Sequence, residues 1–181
     1  MPYGNARPDP LKTQLRMSKR STVTVREQPI PDVTSASGPL KVYAETFTVD
    51  THARVQLIDV TGQVMAIVRK SGVAEGSLSL FSLHTTATVF INEFQTALLA
   101  DIRAFLDHAV DQHAEWMHND PSQSDCDRHN ADAHLRALLL GHSLTLQVGG
   151  GELVLGQWQR ILLAELDGPR ARTLRASIMG V

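Results

Sequence analysis

Apolar and polar positions alternate from residue 42 onward in a way that names most of the elements. Val42-Tyr43-Ala44-Glu45-Thr46-Phe47-Thr48-Val49 alternates and is rich in β-branched residues, so it predicts a strand. Val55 to Asp59 predicts a second, Ser77 to Leu83 alternates strictly, and Thr88 to Ile91 gives another. Thr61-Gly62-Gln63 can open a helix through Val64, Ile67 and Val68, closed by Gly72. From Phe94 to Val110 the period changes: Leu98, Ile102, Phe105, Leu106 and Ala109 share one helical face, the pattern of a helix packed on a sheet. Ala131 to Leu140 predicts another helix, ended by Gly141. Ser143–Val148, Leu153–Leu155, Arg160–Leu166 and Arg172–Ile178 complete the strands, with a turn at Gly149–Gly151. Strands come in groups and helices do not alternate with them one for one. The expected fold is a single α+β domain with a mixed, mostly antiparallel sheet and two main helices.

That pattern stops short of the N-terminus. Residues Met1 to Gly38 carry five prolines, several Ser and Thr, and a basic cluster at Lys12, Arg16, Lys19 and Arg20, with little apolar periodicity. They are expected to form a disordered or irregular extension, leaving residues 39–181 as the folded domain. The chain has 181 residues, enough for one domain with a proper core. Its formal net charge of -2, with both signs interspersed, argues against a general nucleic-acid or anionic-membrane surface. No apolar run is long enough to span a bilayer, and no signal-peptide stretch opens the chain, so the cytoplasm is the expected compartment. The single cysteine, Cys126, lies between Asp125 and Asp127, where negative charge disfavours the thiolate.

Candidate chemistry gathers between His118 and Gly141. His118 and Asp120 are two apart, so in extended chain they point the same way and can share a metal or a proton path. His134 falls in the first turn of the following helix, and Asn130 or Asp132 can cap it, leaving N–H groups for a phosphate. His84-Thr85-Thr86 follows a strand directly and Asn92-Glu93 ends the next, both at sheet mouths. Trp158 can fill a core or form a pocket wall, and Arg170, after the Asp167-Gly168-Pro169 turn, can meet a phosphate or a carboxylate. His108 and His113 suit a helix C-terminus rather than a site. No dinucleotide fingerprint, P-loop or nucleophile elbow is present.

Taken in order, Ser71-Gly72-Val73 to Glu75-Gly76, His84-Thr85-Thr86-Ala87, Asn92-Glu93, His118-Asn119-Asp120, Asn130-Ala131-Asp132-Ala133-His134, Leu140-Gly141, Gly156-Gln157-Trp158-Gln159 and Glu165-Leu166-Asp167-Gly168-Pro169-Arg170 resemble the YjbQ family. The family comprises small bacterial and archaeal proteins described as secondary thiamine-phosphate synthases. The resemblance spans Pro39 to the C-terminus. It departs from the family in a longer Asp120–Asn130 loop and in Gln157, where threonine is common. It implies a homotrimer and a histidine site associated with a divalent metal, zinc or magnesium, held by His84, His118 and His134. Glu93 and Asp120 are then the catalytic candidates, and Trp158, Arg170, Asn130 and Asp132 the groups for a small phosphate or diphosphate ligand. The implied reaction joins a thiazole phosphate to an aminopyrimidine methyl diphosphate and releases pyrophosphate, as a weak or secondary activity. A metal-dependent phosphoester hydrolase and a non-catalytic trimeric metal- or anion-binding protein are the alternatives.

Overall fold

Strict alternation has a simple structural origin in the segment around Leu78 and Leu80: both are fully buried, and Ser77, Ser79 and Phe81 beside them face solvent. A computed structural model describes residues 20–23, 26, 27, 29, 30 and 33–181. In chain order the elements are β1 (Lys41–Asp50), β2 (Gln56–Asp59), α1 (Thr61–Ser71), β3 (Glu75–Ser82), β4 (Ala87–Asn92), α2 (Thr96–Ala109), a single 3-10 turn (Met117–Asn119), α3 (Ala131–Leu140), β5 (Ser143–Gly149), β6 (Glu152–Leu153), β7 (Arg160–Glu165) and β8 (Ala171–Gly180). The strands form two sheets, ordered β1-β8-β3-β5-β6 and β2-β7-β4, and the pairings are antiparallel throughout. The expected α+β class is therefore found, with the sheet divided in two. The helix at Thr61 is a full third helix, closed by Gly72 in the left-handed region at φ 66°.

β7 explains the layering. Its residues Ile161 to Glu165 are all buried, because the strand is central and covered on both faces. Ile161 and Leu163 face the main core, where Leu78, Leu80, Leu174, Ala176 and Ile178 of the larger sheet meet Val64 and Val68 of α1. Ala164, together with Leu166 beyond the strand end, faces the other way, onto Leu106 of α2 and Ala133 and Ala137 of α3. The larger sheet is tight where β3 meets β8. Gly76 and Gly180 are register partners, and a Cβ on Gly76 would lie 2.2 Å from the Met179 carbonyl oxygen. Only glycine fits there.

Helix α2 differs from its sequence pattern. Leu106 is buried and Ile102 partly so, but Phe105 and Ala109 face solvent, since nothing among the described residues covers that flank. The described part of the N-terminal segment has no helix or strand before β1, yet it is bonded to the domain. The Thr22 N–H donates to the Phe94 carbonyl (3.1 Å), and the Ser21 hydroxyl donates to Glu93. Arg26 donates to the Gly149 carbonyl (2.9 Å) and to that of Leu153, while Glu27 pairs with Arg69 at 3.0 Å. Lys12, Arg16 and Lys19 lie outside the described residues. Among the described residues, no helix is long and apolar enough to cross a membrane.

Candidate functional site

The segment between α2 and α3 is polar and makes its own short-range structure. Trp116 Nε1 donates to the Asp111 carbonyl at 2.8 Å, and the Asn119 N–H to the Trp116 carbonyl at 2.9 Å. These bonds fold Met117–Asn119 into a single turn ahead of α3. Asn130 holds the cap position of α3, but its side chain does not cap the helix. It donates instead to Asp167 Oδ2 at 2.9 Å. The first helical N–H, of Ala131, is taken by the Asn119 side-chain oxygen at 3.0 Å. His118 and His134 consequently face each other edge to face, with ring centroids 5.0 Å apart and planes at 81°. A pocket of about 270 Å³ opens beside them, lined by Trp116, Met117, His118, Ala131, His134 and Leu135. Burial, and next the neighbouring His118, hold the His134 pKa below the ordinary imidazole value, against the opposing pull of Asp167 and Asp132. His134 is thus a neutral imidazole at neutral pH.

Behind the pair, the β7–β8 connection forms a buried ionic network. The Glu165 carboxylate accepts from Arg172 Nε (2.6 Å) and Nη2, from the Thr51 hydroxyl (2.9 Å) and from the Asp167 N–H (2.8 Å). Burial alone would raise the Asp167 pKa. Hydrogen bonds from Arg128 and Asn130, with the charges of Arg128 and Arg170, outweigh it and hold the carboxyl low. Arg170 approaches Asp167 Oδ2 at 3.2 Å and Arg128 Nε approaches it at 2.9 Å. Asp132 is wholly buried and pairs with Arg54 at 2.8 Å and Arg136 at 3.7 Å. His84 Nε2 accepts the Thr173 N–H at 2.7 Å, and burial followed by Arg172 keeps the ring neutral.

The predicted residues therefore fall into separate groups. His118 and His134 meet, and Asn130, Asp132 and Arg170 stand in the adjoining network. Glu93 and Trp158 do not join them. Ala87 pairs with Glu165 and Asn92 with Arg160, so Glu93 and Trp158 lie at the far end of β4 and β7, about 17 Å away along the strands. Asp120 is a turn former: its Oδ1 accepts the Ser122 N–H at 2.8 Å, a bond that lowers its pKa. Asn130 and Asp132 are spent on Asp167 and Arg54, so neither caps α3 nor offers it to a phosphate. The single-chain metal set of His84, His118 and His134 is not assembled. The accepting nitrogen of His84 is occupied, and among the described residues no group of three or more His, Cys, Asp or Glu is placed to hold a metal ion. His108 and His113 are exposed, whereas His142 is half-buried with Nε2 unpartnered among the described residues. Sequence reasoning missed Trp116 as the pocket wall, Asn119 as the cap, and Arg54 and Arg128 as partners of the buried acids. Only Asn119 had a signal, its place between His118 and Asp120.

The family model for UPF0047 protein YjbQ-like matches residues 45–181. The chain belongs to the YjbQ family. A UPF0047 protein of Methanothermobacter thermautotrophicus is 43% identical over 141 residues, covering 78% of this chain and 94% of that protein. The UPF0047 protein YugU of Bacillus subtilis is 33% identical, covering 75% of this chain and 98% of its own length. Among solved structures, a YbjQ-like protein of unknown function from Sulfolobus solfataricus superposes with a TM-score of 0.73 at 38% identity, covering 79% of this chain and all (100%) of that one. A yjbq/upf0047 family protein from Clostridium acetobutylicum superposes with a TM-score of 0.67 at 32% identity, covering 74% and 98% respectively. The family match begins inside β1, so the N-terminal segment lies outside it.

Proposed function

We propose that this YjbQ-family protein is an enzyme acting on a small phosphorylated heteroaromatic ligand at the His118–His134 pocket. Its proposed reaction is of thiamine-phosphate synthase type, and weak. The observation that carries the reading is the facing pair of imidazoles, one exposed and one half-buried and neutral, beside an indole wall. In the proposed complex a flat ring lies along the Trp116 and Leu135 walls of this pocket, with the imidazole edges as hydrogen-bond partners. In the proposed reaction a thiazole ring nitrogen forms a bond to the exocyclic methylene of the pyrimidine. The carbon–oxygen bond to the diphosphate breaks, and its electron pair leaves with pyrophosphate. Charge on the leaving group calls for nearby cations. Arg128 and Arg170 are the half-exposed guanidiniums held on Asp167, whose charge reaches His134. Two imidazoles alone do not complete a zinc or magnesium site, so no step is assigned to a metal.

A second reading is favoured by one feature of the surface. Phe105 of α2, Met117 of the turn, and Leu138 and Leu139 of α3 are exposed large apolar side chains on the elements that carry or flank the pair. In this reading the chain is a homotrimer whose neighbouring subunit supplies further donors for a metal or a small anion. The deciding experiment is turnover of purified protein on the thiazole and pyrimidine substrates and on a phosphoester panel, with and without chelator, with molar mass measured by light scattering. Pyrophosphate release that is lost in His134→Ala supports the synthase reading. Chelator-sensitive phosphoester hydrolysis would replace it with a hydrolase. Metal or anion binding by a trimer without turnover would replace it with a binding protein.

A further inference from the structure

We propose that Asn119 is the positioning residue of the histidine pair. The inference rests on the proposed role of that pair but concerns what holds it together. His118 sits on a turn of three residues, Met117–Asn119, and is itself exposed. A single 3-10 turn has no stability of its own, so its ring stays opposite His134 only if the turn is tied to α3. Between them runs a polar loop whose internal bonds, from the Gln123 and Ser124 N–H groups to the Asp120 carbonyl, are both 2.9 Å and reach neither ring. Among the described residues, the hydrogen bond from the Ala131 N–H to Asn119 Oδ1 is the one that joins the turn to the helix.

Helix α3 cannot supply this tie from its own cap residue. Asn130 is directed to Asp167, where Arg128 and Arg170 also converge, and turning it back would take a hydrogen bond from a buried carboxylate. Asn119 therefore does two things with one oxygen. It satisfies the first N–H of α3, and it sets the distance between a ring on the turn and a ring one helical turn into α3. The side chain must be short and must accept. Aspartate meets both conditions, alanine cannot accept, and glutamine carries the oxygen one methylene too far.

The test needs no ligand. Nuclear Overhauser contacts between the ring protons of His118 and His134 are measured in the full chain and in Asn119→Ala, Asn119→Asp, Asn119→Gln and Ser124→Ala. Ser124 accepts the Cys126 N–H at 3.1 Å, so its loss weakens the same loop without touching the tie. The contact should be strong in the unaltered chain and in Asn119→Asp and Ser124→Ala. It should weaken in Asn119→Ala, with the ratio of paired to unpaired rings falling about five-fold, the change in equilibrium expected from losing one net hydrogen bond. Asn119→Gln should weaken it while leaving the fold intact by circular dichroism, which keeps the test valid if the alanine variant does not fold. An unchanged contact in a folded alanine or glutamine variant would overturn the proposal, as would equal losses in Ser124→Ala. Absence of the contact in the unaltered chain would overturn the pair itself. Absence of catalytic turnover with the expected pattern intact would count against the proposed function alone.

Discussion

Replacing Arg172 by methionine tests whether the buried network at the β7–β8 end is a closed unit. The Glu165 side chain has no solvent exposure and that of Arg172 has 1%. Glu165 receives donors from Arg172, Thr51 and the Asp167 backbone, and Arg172 Nη2 also reaches the Thr86 hydroxyl at 3.1 Å. Methionine keeps most of the apolar stem and removes the charge. It leaves a fully buried carboxylate with neutral donors only, which costs about 3–5 kcal/mol. In a domain of this size the melting midpoint should then fall by about 10 °C. Urea unfolding should give the same loss with an unchanged slope against denaturant. The double variant Glu165→Gln with Arg172→Met should recover part of the loss, because no unpaired charge remains. A single-variant loss below about 1 kcal/mol, or a double variant no better than the single, would refute the reasoning.

His134 and His84 both have depressed pKa values, with burial as the leading cause, so the unfolded chain binds more protons than the folded one. Their contribution to stability is complete above the ordinary imidazole value and is lost as pH falls through it toward the folded values. Melting midpoints between pH 8 and about 5 should decline on the acid side, less so in His134→Ala; a flat profile would contradict the assignment. Removing residues 1–38 takes away the contacts of Ser21, Thr22, Arg26 and Glu27 and should cost on the order of 2 kcal/mol, read by denaturant unfolding. An unchanged midpoint would mean that these contacts contribute nothing net.

Much of the fold was readable because burial follows period. Leu78 and Leu80 lie inside because β3 has one wet face, and Ile161 to Ala164 form an unbroken apolar run because β7 has none. What periodicity does not carry is partnership across the chain. Nothing local tells that Arg54 serves Asp132, 78 positions away, or that Arg128 serves Asp167, 39 away. The His118–His134 meeting was visible as a cluster of residue types. The separation of Glu93 and Trp158 from it follows from the antiparallel register of β4 on β7, which the sequence does not display. Asn130 looked like a cap and occupies the cap position, but its side chain had a stronger partner in a buried carboxylate.

The proposed function places ligand chemistry at the His118–His134 pocket. The most direct measurement is a titration of isotopically labelled protein with a hydroxyethylthiazole phosphate, following backbone amide shifts. Saturable shifts are expected at Trp116–Asn119, Ala131–Leu135 and Arg170, abolished in His134→Ala. Shifts confined to the Glu93 and Trp158 end of β7, or none at millimolar ligand, would contradict it.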